Sequence, residues 1–211
     1  MPQRPVLYHC PRTRSAITNW MNEELGAPAE IKLINLKAGD HKKPDYVAMN
    51  PMGKAPMLTH DGVVVTEAAA ICAYLADAYA EKNLAPAPGD PKRGAYFRWL
   101  FFSPGCIEPT MLDKFAGIVR ENPASVGHGL QEDVLAAIDT ALENSPYLLG
   151  DQFTAADVVF GSTLHFATMF GVFEKKPNYQ KYLDRLHARP AFQAAQAKDE
   201  KWAQEMGLND S

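Results

Sequence analysis

The feature that most constrains the fold of this 211-residue chain is a proline- and glycine-rich segment, NLAPAPGDP, at residues 83–91. Strand and helix patterns alternate before this segment, whereas the patterns after it are helical. Such a composition is typical of a linker between domains. We therefore predict a domain at 1–82, a linker at 83–91 and an all-helical domain at 92–211, with enough chain to bury a core in each.

The residues before the linker show a strand–helix–strand pattern, then a hairpin and a helix. A short strand is predicted at 5–9, a helix that stops at Gly26, and a second strand at 30–36 whose apolar residues on both faces suit a buried position. Asp61-Gly62 between two β-rich runs is a strong hairpin signal, and an alanine-rich helix follows at 66–79. Because a helix between two strands favours a parallel pair, the order predicts a βαβ–ββα domain of the α/β class.

The composition excludes several classes of function. An apolar fraction of 46%, a charged fraction of 22% and a net charge of −4 are typical of a soluble globular protein without a basic surface for nucleic acid. The apolar runs are shorter than the roughly 18 residues that a membrane span needs, and the N-terminus lacks the apolar core of a secretory signal. The three cysteines and six histidines are scattered, without disulfide or metal-ligand spacing. We therefore expect a cytoplasmic protein that binds no metal, membrane or nucleic acid.

Three motifs, in a fixed order along the chain, carry a resemblance to a known family. Residues 50–58 read NPMGKAPML, residues 66–71 read TEAAAI and residues 153–157 read FTAAD. They are similar to the N-P-x-G-K-[VA]-P-x-L motif, the [ST]-E-S-x-A-I motif and the C-terminal capping motif of the cytosolic glutathione transferases. The chain resembles this family over nearly its whole length, and we expect a bacterial, serine/threonine- or beta-like type.

The resemblance implies a thioredoxin-like N-terminal domain that binds glutathione as a co-substrate, followed by an all-α domain. It also implies a cis bond between Ala55 and Pro56, which would turn the amide and carbonyl of Ala55 toward the cysteinyl backbone of the tripeptide. Lys54 belongs to the same motif. His41 lies on a basic loop that could reach the glycyl carboxylate, and the alternative for this loop is a solvated turn.

The second motif is expected to hold the γ-glutamyl group. Glu67 lies at the start of a helix, where backbone amides favour a carboxylate and the acidic side chain can hold an ammonium group. The alternative is that Glu67 only offsets the helix dipole. The chain departs from the family at Ala68, where a serine is usual. One missing hydroxyl contact should weaken glutathione binding by roughly 0.5–1.5 kcal/mol.

A glutathione transferase must present the thiol of glutathione as a thiolate. Lowering a thiol pKa of about 8.5 by about two units needs roughly 2.7 kcal/mol. A hydrogen bond to the charged sulfur contributes about 1.5–3 kcal/mol, and a helix N-terminus adds about 0.3–1 kcal/mol. We therefore expect the donor between the first strand and the first helix.

Four residues compete for this position: Tyr8, Cys10, Thr13 and Ser15. Thr13 ranks first, because its spacing from the EELG sequence at 23–26 matches that of the first serine in bacterial relatives with an SRS sequence, and its alternative role is a helix N-cap. Ser15 ranks second. Cys10, in CPRT, would instead give a mixed disulfide with glutathione, or it is a small buried residue at a strand end. Tyr8 lies early for a catalytic tyrosine and fits better as a sheet residue.

The second substrate is expected on the helical side of a site between the domains. We predict that a small hydrophobic electrophile contacts Tyr8, Trp99, Phe102, Ile107 and Met111, although aromatic residues at helical spacing often belong to a core. The resemblance also implies a homodimer. Two other functions stay open: a non-catalytic member of the fold that binds glutathione or a protein partner, and a thiol-disulfide oxidoreductase that depends on Cys10.

Overall fold

A computed structural model describes residues 3–120 and 122–208 of the chain. The described residues form two compact units, which we treat separately. The first unit combines residues 3–82 with residues 188–208, and the second comprises residues 83–187.

The first unit contains a four-stranded mixed sheet in the order β2-β1-β3-β4. Its strands are β1 (Val6–His9), β2 (Glu30–Leu33), β3 (Met57–His60) and β4 (Val63–Thr66). β1 is parallel to β2 and antiparallel to β3, and β3 is antiparallel to β4. These pairings confirm the predicted βαβ–ββα order. Asp61 and Gly62 close the hairpin with positive φ angles of 48° and 78°, as a tight hairpin turn requires.

The helices of the first unit are α1 (Ser15–Glu24), α2 (Pro44–Met49), α3 (Ala68–Ala78) and α9 (Pro190–Glu205). α1 ends before Gly26, whose φ of 87° explains why glycine is the residue that stops it. α1 follows the end of β1 after the loop at 10–14, and α3 follows the end of β4 after Glu67. The register places His9 and Thr66, where these strands end, at the same end of the sheet.

The prediction of a buried second strand at 30–36 is wrong in both its length and its burial. β2 covers only Glu30–Leu33, and Glu30 and Lys32 are exposed. β2 lies at the edge of the sheet and pairs with β1 alone, so it alternates between exposed and half-buried residues. The apolar residue that the pattern placed within the strand, Ile34, is buried beyond its end.

The predicted domain boundary also differs from the structure, because α9 packs against α1 in the first unit. The rings of Trp20 and Phe192 meet edge to face at 5.0 Å. The side-chain amide of Asn19 donates to the carbonyl of Ala195 at 3.0 Å. The helical pattern that follows the linker does not distinguish a helix of the second unit from one that returns to the first.

The second unit is helical. Its helices are α4 (Lys92–Phe102), α5 (Glu108–Phe115), α6 (Gln131–Leu142), α7 (Ala155–Met169) and α8 (Pro177–His187), and a π-helical turn at Ser103–Ile107 joins α4 to α5. The predicted linker is anchored here, because Leu84 is buried and its carbonyl accepts a hydrogen bond from the amide of Ala155 at 2.8 Å.

The predicted capping motif is present at the start of α7. Thr154 and Asp157 form a reciprocal capping box, in which each side chain accepts a hydrogen bond from the backbone of the other. Among the described residues, no helix combines the length and apolar character needed to cross a membrane.

Candidate functional site

The register of the sheet brings three predicted segments to one end of the first unit. Tyr8 pairs with Met57, and Met57 pairs with Thr66. One residue beyond this row lie Pro56, Glu67 and His9, and the β1–α1 loop begins directly after His9. The loop at 10–15, the Ala55-Pro56 bond and the start of α3 consequently lie next to one another.

The NPMGK segment before β3 is fixed by contacts to its own backbone. The carbonyl of Lys54 accepts hydrogen bonds from the hydroxyl of Tyr46 at 2.6 Å and from the side-chain amide of Asn50 at 2.8 Å. Gly53 has a φ of 55°, and a Cβ atom there would lie 2.8 Å from the carbonyl oxygen of His41. The motif therefore needs Gly53 both for its backbone conformation and for its close approach to the preceding loop.

Ala55 presents its backbone without internal partners. The bond between Ala55 and Pro56 is cis. Within residues 3–120 and 122–208, neither the amide nor the carbonyl of Ala55 makes a hydrogen bond. Ala55 is partly exposed, so both groups can pair with the backbone of a peptide.

The start of α3 offers an anion site beside Ala55. The amide of Ile71 is the first to bond within the helix, to the carbonyl of Glu67 at 2.9 Å, which leaves the amides of 68–70 without a helical partner. Glu67 is exposed, and its carboxylate makes no hydrogen bond or ion pair with the described part of the chain. Its φ of 66° is unusual for a residue with a side chain.

His41, on the preceding loop, and Lys54, within the motif, both lie beside Gly53. His41 is half-buried, and its Nδ1 atom is buried without a hydrogen-bond partner among residues 3–120 and 122–208. The side chain of Lys54 is exposed. The structure therefore brings both residues near the motif of Gly53 and Ala55, although only the Lys54 carbonyl has a defined partner.

Thr13 and Ser15 occupy different environments in the β1–α1 loop. The hydroxyl of Thr13 donates to the carbonyl of Cys10 at 2.7 Å and accepts the amide of Ser15 at 3.1 Å. Thr13 thus caps the start of α1 and stays partly exposed. Ser15 is fully buried, and its hydroxyl has no hydrogen-bond partner among the described residues. Of the two residues, only Thr13 retains exposed surface that a ligand could reach.

Cys10 and Tyr8 belong to a buried cluster on the side of the sheet that α2 covers. Tyr8 packs edge to face on Tyr46, with ring centres 5.7 Å apart, and Cys10 is 3% exposed in the same cluster. Burial raises the pKa of the Cys10 thiol and outweighs the opposing hydrogen bond from the backbone of Leu36. A nucleophilic cysteine needs a lowered pKa and access, and Cys10 has neither.

The residues predicted for the electrophile lie mostly inside the second unit. Trp99 is buried, and its ring contacts those of Phe102 and Phe160 at 5.4 Å and 5.7 Å. Ile107 is fully buried and Met111 is 7% exposed, whereas Phe102 is half-buried. Their packing is that of a core, and Phe102 retains the most surface of the four.

Two residues that hold the site were not found from the sequence. Tyr46 and Asn50 fix the Lys54 carbonyl and hence the path of the chain into Ala55. Asn50 stands in the recognised motif, so its role as a loop brace could have been inferred. Tyr46 carried no signal, because a single aromatic residue in a polar loop has no periodic pattern.

Comparison with known proteins gives matches along the chain. The family model for the N-terminal domain of glutathione S-transferases matches residues 6–77, and the model for the C-terminal domain matches residues 127–194. Glutathione S-transferase 3 of Schizosaccharomyces pombe is 32% identical over 92% of this chain and 88% of its own length. Glutathione S-transferase D7 of Drosophila melanogaster is 30% identical over 84% of this chain and 81% of its own.

A solved structure agrees with these relatives. A glutathione transferase from Methylococcus capsulatus has a TM-score of 0.75 and 29% identity, and the match covers 93% of this chain and 98% of that one. The fold and these relatives therefore define an enzyme with a thioredoxin-like and a helical part. The chain belongs to the glutathione S-transferase family, as its motifs predicted. The matched proteins come from an insect, a yeast and a bacterium, so the predicted bacterial subtype stays a prediction.

Proposed function

We propose that this protein binds glutathione at the end of the sheet formed by residues 10–15, 55–56 and 67–68, and uses the glutathione thiolate to conjugate or reduce small hydrophobic electrophiles. The observation that carries the proposal is the convergence of three groups that have no partner among residues 3–120 and 122–208: the backbone of Ala55, the carboxylate of Glu67 and the first amides of α3. These groups are accessible and lie at one end of the sheet, so a peptide that carries complementary donors, acceptors and charges can bind all three at once.

Glutathione carries groups that complement this arrangement. Its cysteinyl amide and carbonyl would pair with the backbone of Ala55, as an added strand does at a sheet edge. Its γ-glutamyl carboxylate would accept the amides of Ala68 and its neighbour at the start of α3, and its ammonium group would meet Glu67. The glycyl carboxylate would lie toward His41 and Lys54.

Thr13 is the hydroxyl best suited to stabilise the thiolate. Its proton faces the Cys10 carbonyl at 2.7 Å in the free protein. A thiolate is charged, and charged acceptors form stronger hydrogen bonds than carbonyls, so a bound thiolate would draw this proton away from Cys10. The amide of Ser15 would continue to hold the Thr13 oxygen from behind. We therefore retain Thr13 ahead of Ser15.

The transfer itself needs no redox partner. With an aryl halide, the thiol proton is released to solvent and the thiolate attacks the ring carbon that bears the halogen. A carbon–sulfur bond forms, the carbon–halogen bond breaks, and the halide leaves with the electron pair. The contribution of the protein is to bind and to ionise the nucleophile.

Turnover of an aryl halide with glutathione tests this proposal. Thr13→Ala should lower turnover at least tenfold with little change in glutathione binding, and Thr13→Ser should keep most of it because the hydroxyl remains. Ser15→Ala is the comparison within the loop, and it should retain more turnover than Thr13→Ala. A fully active Thr13→Ala protein would remove Thr13 from the mechanism.

The two other functions give different results in the same experiment. A non-catalytic member of the fold, which Ala68 makes plausible, would bind glutathione without turnover of a halide, a peroxide or a mixed disulfide. A thiol-disulfide oxidoreductase would lose all activity in Cys10→Ser. The burial of Cys10 argues against this second alternative.

We also infer a cytoplasmic homodimer, as the family resemblance implies. The three cysteines are unpaired in the structure, which fits a reducing compartment. Sedimentation at micromolar concentration would give the assembly state, and a monomer there would contradict the inferred dimer.

A further inference from the structure

The β1–α1 loop is held by a carboxylate from the far end of the chain. Asp199, on α9, accepts the backbone amide of Arg12 through Oδ2 at 2.9 Å. Its other oxygen, Oδ1, lies 2.9 Å from Nε2 of His9, although the geometry falls short of a hydrogen bond. His9 is fully buried, and its ring lies 5.2 Å from that of Trp202 on the same helix. Asp199 therefore contacts the residues on both sides of the Cys10–Pro11 turn.

Arg12 has a conformation that needs such support. Its φ of 58° lies in the left-handed region, which costs a residue with a side chain about 1–2 kcal/mol. Its guanidinium also bonds the Glu200 carboxylate at 3.0 Å and 3.1 Å and the carbonyl of Leu208 at 2.8 Å. The Glu200 pair is half-exposed and therefore contributes little, whereas the bond from the Arg12 amide to Asp199 acts directly on the backbone.

The conformation of Arg12 determines where the next residue directs its hydroxyl. The chain turns back at Arg12, so the Thr13 hydroxyl reaches the Cys10 carbonyl at 2.7 Å and α1 begins two residues later. A different conformation at Arg12 would move both the hydroxyl and the helix N-terminus away from Ala55.

We propose that Asp199 is a positioning residue for the thiol-activating loop: through the amide of Arg12, it keeps the Thr13 hydroxyl and the N-terminus of α1 directed at the bound sulfur. This inference rests on the proposed function. It adds a residue from the last helix to a site that the motifs assign wholly to the first 70 residues. Asp199 itself touches neither glutathione nor the electrophile in this account.

The test compares Asp199→Ala, Asp199→Asn and the control Glu205→Ala. Glu205 lies on the same helix, exposed, and pairs only loosely with Lys201 at 3.7 Å. The pKa of the bound thiol is read from the ultraviolet absorbance of the thiolate against pH. Asp199→Ala should raise that pKa and lower kcat about tenfold, with the Kd for glutathione within twofold. Asp199→Asn keeps an acceptor oxygen for the Arg12 amide, so its thiol pKa and kcat should lie close to those of the wild type. Glu205→Ala should have the thiol pKa and kcat of the wild type.

A second readout is independent of glutathione. Alkylation of each cysteine by iodoacetamide, followed by mass spectrometry, reports the loop at Cys10 and the core of the unit at Cys72, which is fully buried on α3. Asp199→Ala should speed alkylation of Cys10 at least fivefold and leave Cys72 unchanged. Equal acceleration at both cysteines would show general loosening and would overturn the proposal, and so would no change at either.

The two proposals fail in distinguishable ways. If the wild-type protein does not bind glutathione, the proposed function fails, and the alkylation rates still decide whether Asp199 holds the loop. If the wild type binds and turns over, but Asp199→Ala keeps the wild-type thiol pKa and kcat, only the positioning role is overturned. A loss of kcat in Asp199→Asn as large as in Asp199→Ala would also contradict the positioning role.

Discussion

The molecule contains two clusters of polar groups with opposite properties. Around Asp157 in the second unit, the groups are buried and paired: the carboxylate accepts the amides of Leu148 and Thr154, each at 2.9 Å, and the hydroxyl of Tyr182 at 3.0 Å. At the sheet end of the first unit, Ala55 is partly exposed and Glu67 is exposed, and neither the Ala55 backbone nor the Glu67 carboxylate is paired within the described residues. The comparison teaches that the first cluster serves the fold, whereas the second is available to a ligand.

The largest expected effect comes from breaking the Asp157 cluster. Asp157→Ala would leave the buried Tyr182 hydroxyl and the buried Thr154 amide without an acceptor, together with the half-buried Leu148 amide, and each buried group costs about 1–3 kcal/mol. We expect the free energy of unfolding to fall by about 3–5 kcal/mol, measured by chemical denaturation. Asp157→Asn keeps one acceptor oxygen and should lose less. Weaker glutathione binding in a folded Asp157→Ala protein would show that the two clusters are not independent.

Removing the charge of Glu67 should weaken glutathione binding and leave the stability of the fold unchanged. Glu67→Gln loses a charge-assisted hydrogen bond of about 1.5–3 kcal/mol, so the Kd for glutathione should rise about tenfold or more in calorimetry. The free energy of unfolding should stay within about 0.5 kcal/mol, because the side chain is exposed and has no partner in the described part of the chain. Glu30→Gln is the matched control, since Glu30 is exposed at the opposite end of the sheet. Equal binding in both variants would remove Glu67 from the site.

The pH dependence of the free energy of unfolding tests the role of buried groups in the second unit. Burial, with the positive charges of His187 and Lys175, lowers the pKa of His165 to about 4. The unfolded chain, with a histidine pKa of about 6.5, therefore binds this proton first, and stability falls as the pH drops from about 6.5 to 4. Because His165 is partly exposed, we expect a loss on the order of 1–2 kcal/mol.

His165→Gln should flatten this part of the stability profile. Burial raises the pKa of Asp157 to about 6, which acts in the opposite direction, so the difference between the two proteins is the quantity to measure. Identical profiles for wild type and His165→Gln between pH 4 and 6.5 would contradict the assignment.

The smallest expected effect is a gain in affinity for glutathione. Ala68→Ser restores the hydroxyl that the family usually has beside the γ-glutamyl carboxylate, and it should tighten glutathione binding by about 0.5–1.5 kcal/mol, or roughly 2- to 12-fold. Ala70→Ser, on the same helix two residues further, should leave the Kd unchanged. If both serines act alike, the contact at Ala68 is not specific.

From the sequence, local elements such as turns and helix starts could be predicted better than the packing of helices and strands against one another. Asp61-Gly62 defined the hairpin because its turn geometry is local, and Thr154 and Asp157 defined the start of α7 for the same reason. The edge position of β2 and the return of α9 to the first unit could not be read, because both depend on contacts between residues distant along the chain.

The residues of the candidate site also fall into two groups: those that a sequence motif identifies and those that only the folded structure identifies. Ala55 and Glu67 stood within motifs, so they could be named from the sequence. Asp199 lies 187 residues from Arg12 along the chain and has no motif of its own, so only the folded structure reveals the contact. The burial of Ser15 was equally hidden, since it depends on neighbouring elements of the folded unit, whereas burial was one of the two alternatives that the sequence offered for Cys10.

Amide chemical shifts of the isotope-labelled protein during titration with glutathione test the central claim most directly. The account predicts that the largest shifts occur at Ala55, Ala68 and Thr13, and that the shift at Ala68 shrinks when the γ-glutamyl carboxylate is removed from the peptide. Saturable shifts confined to other segments, or none at these three amides, would contradict it.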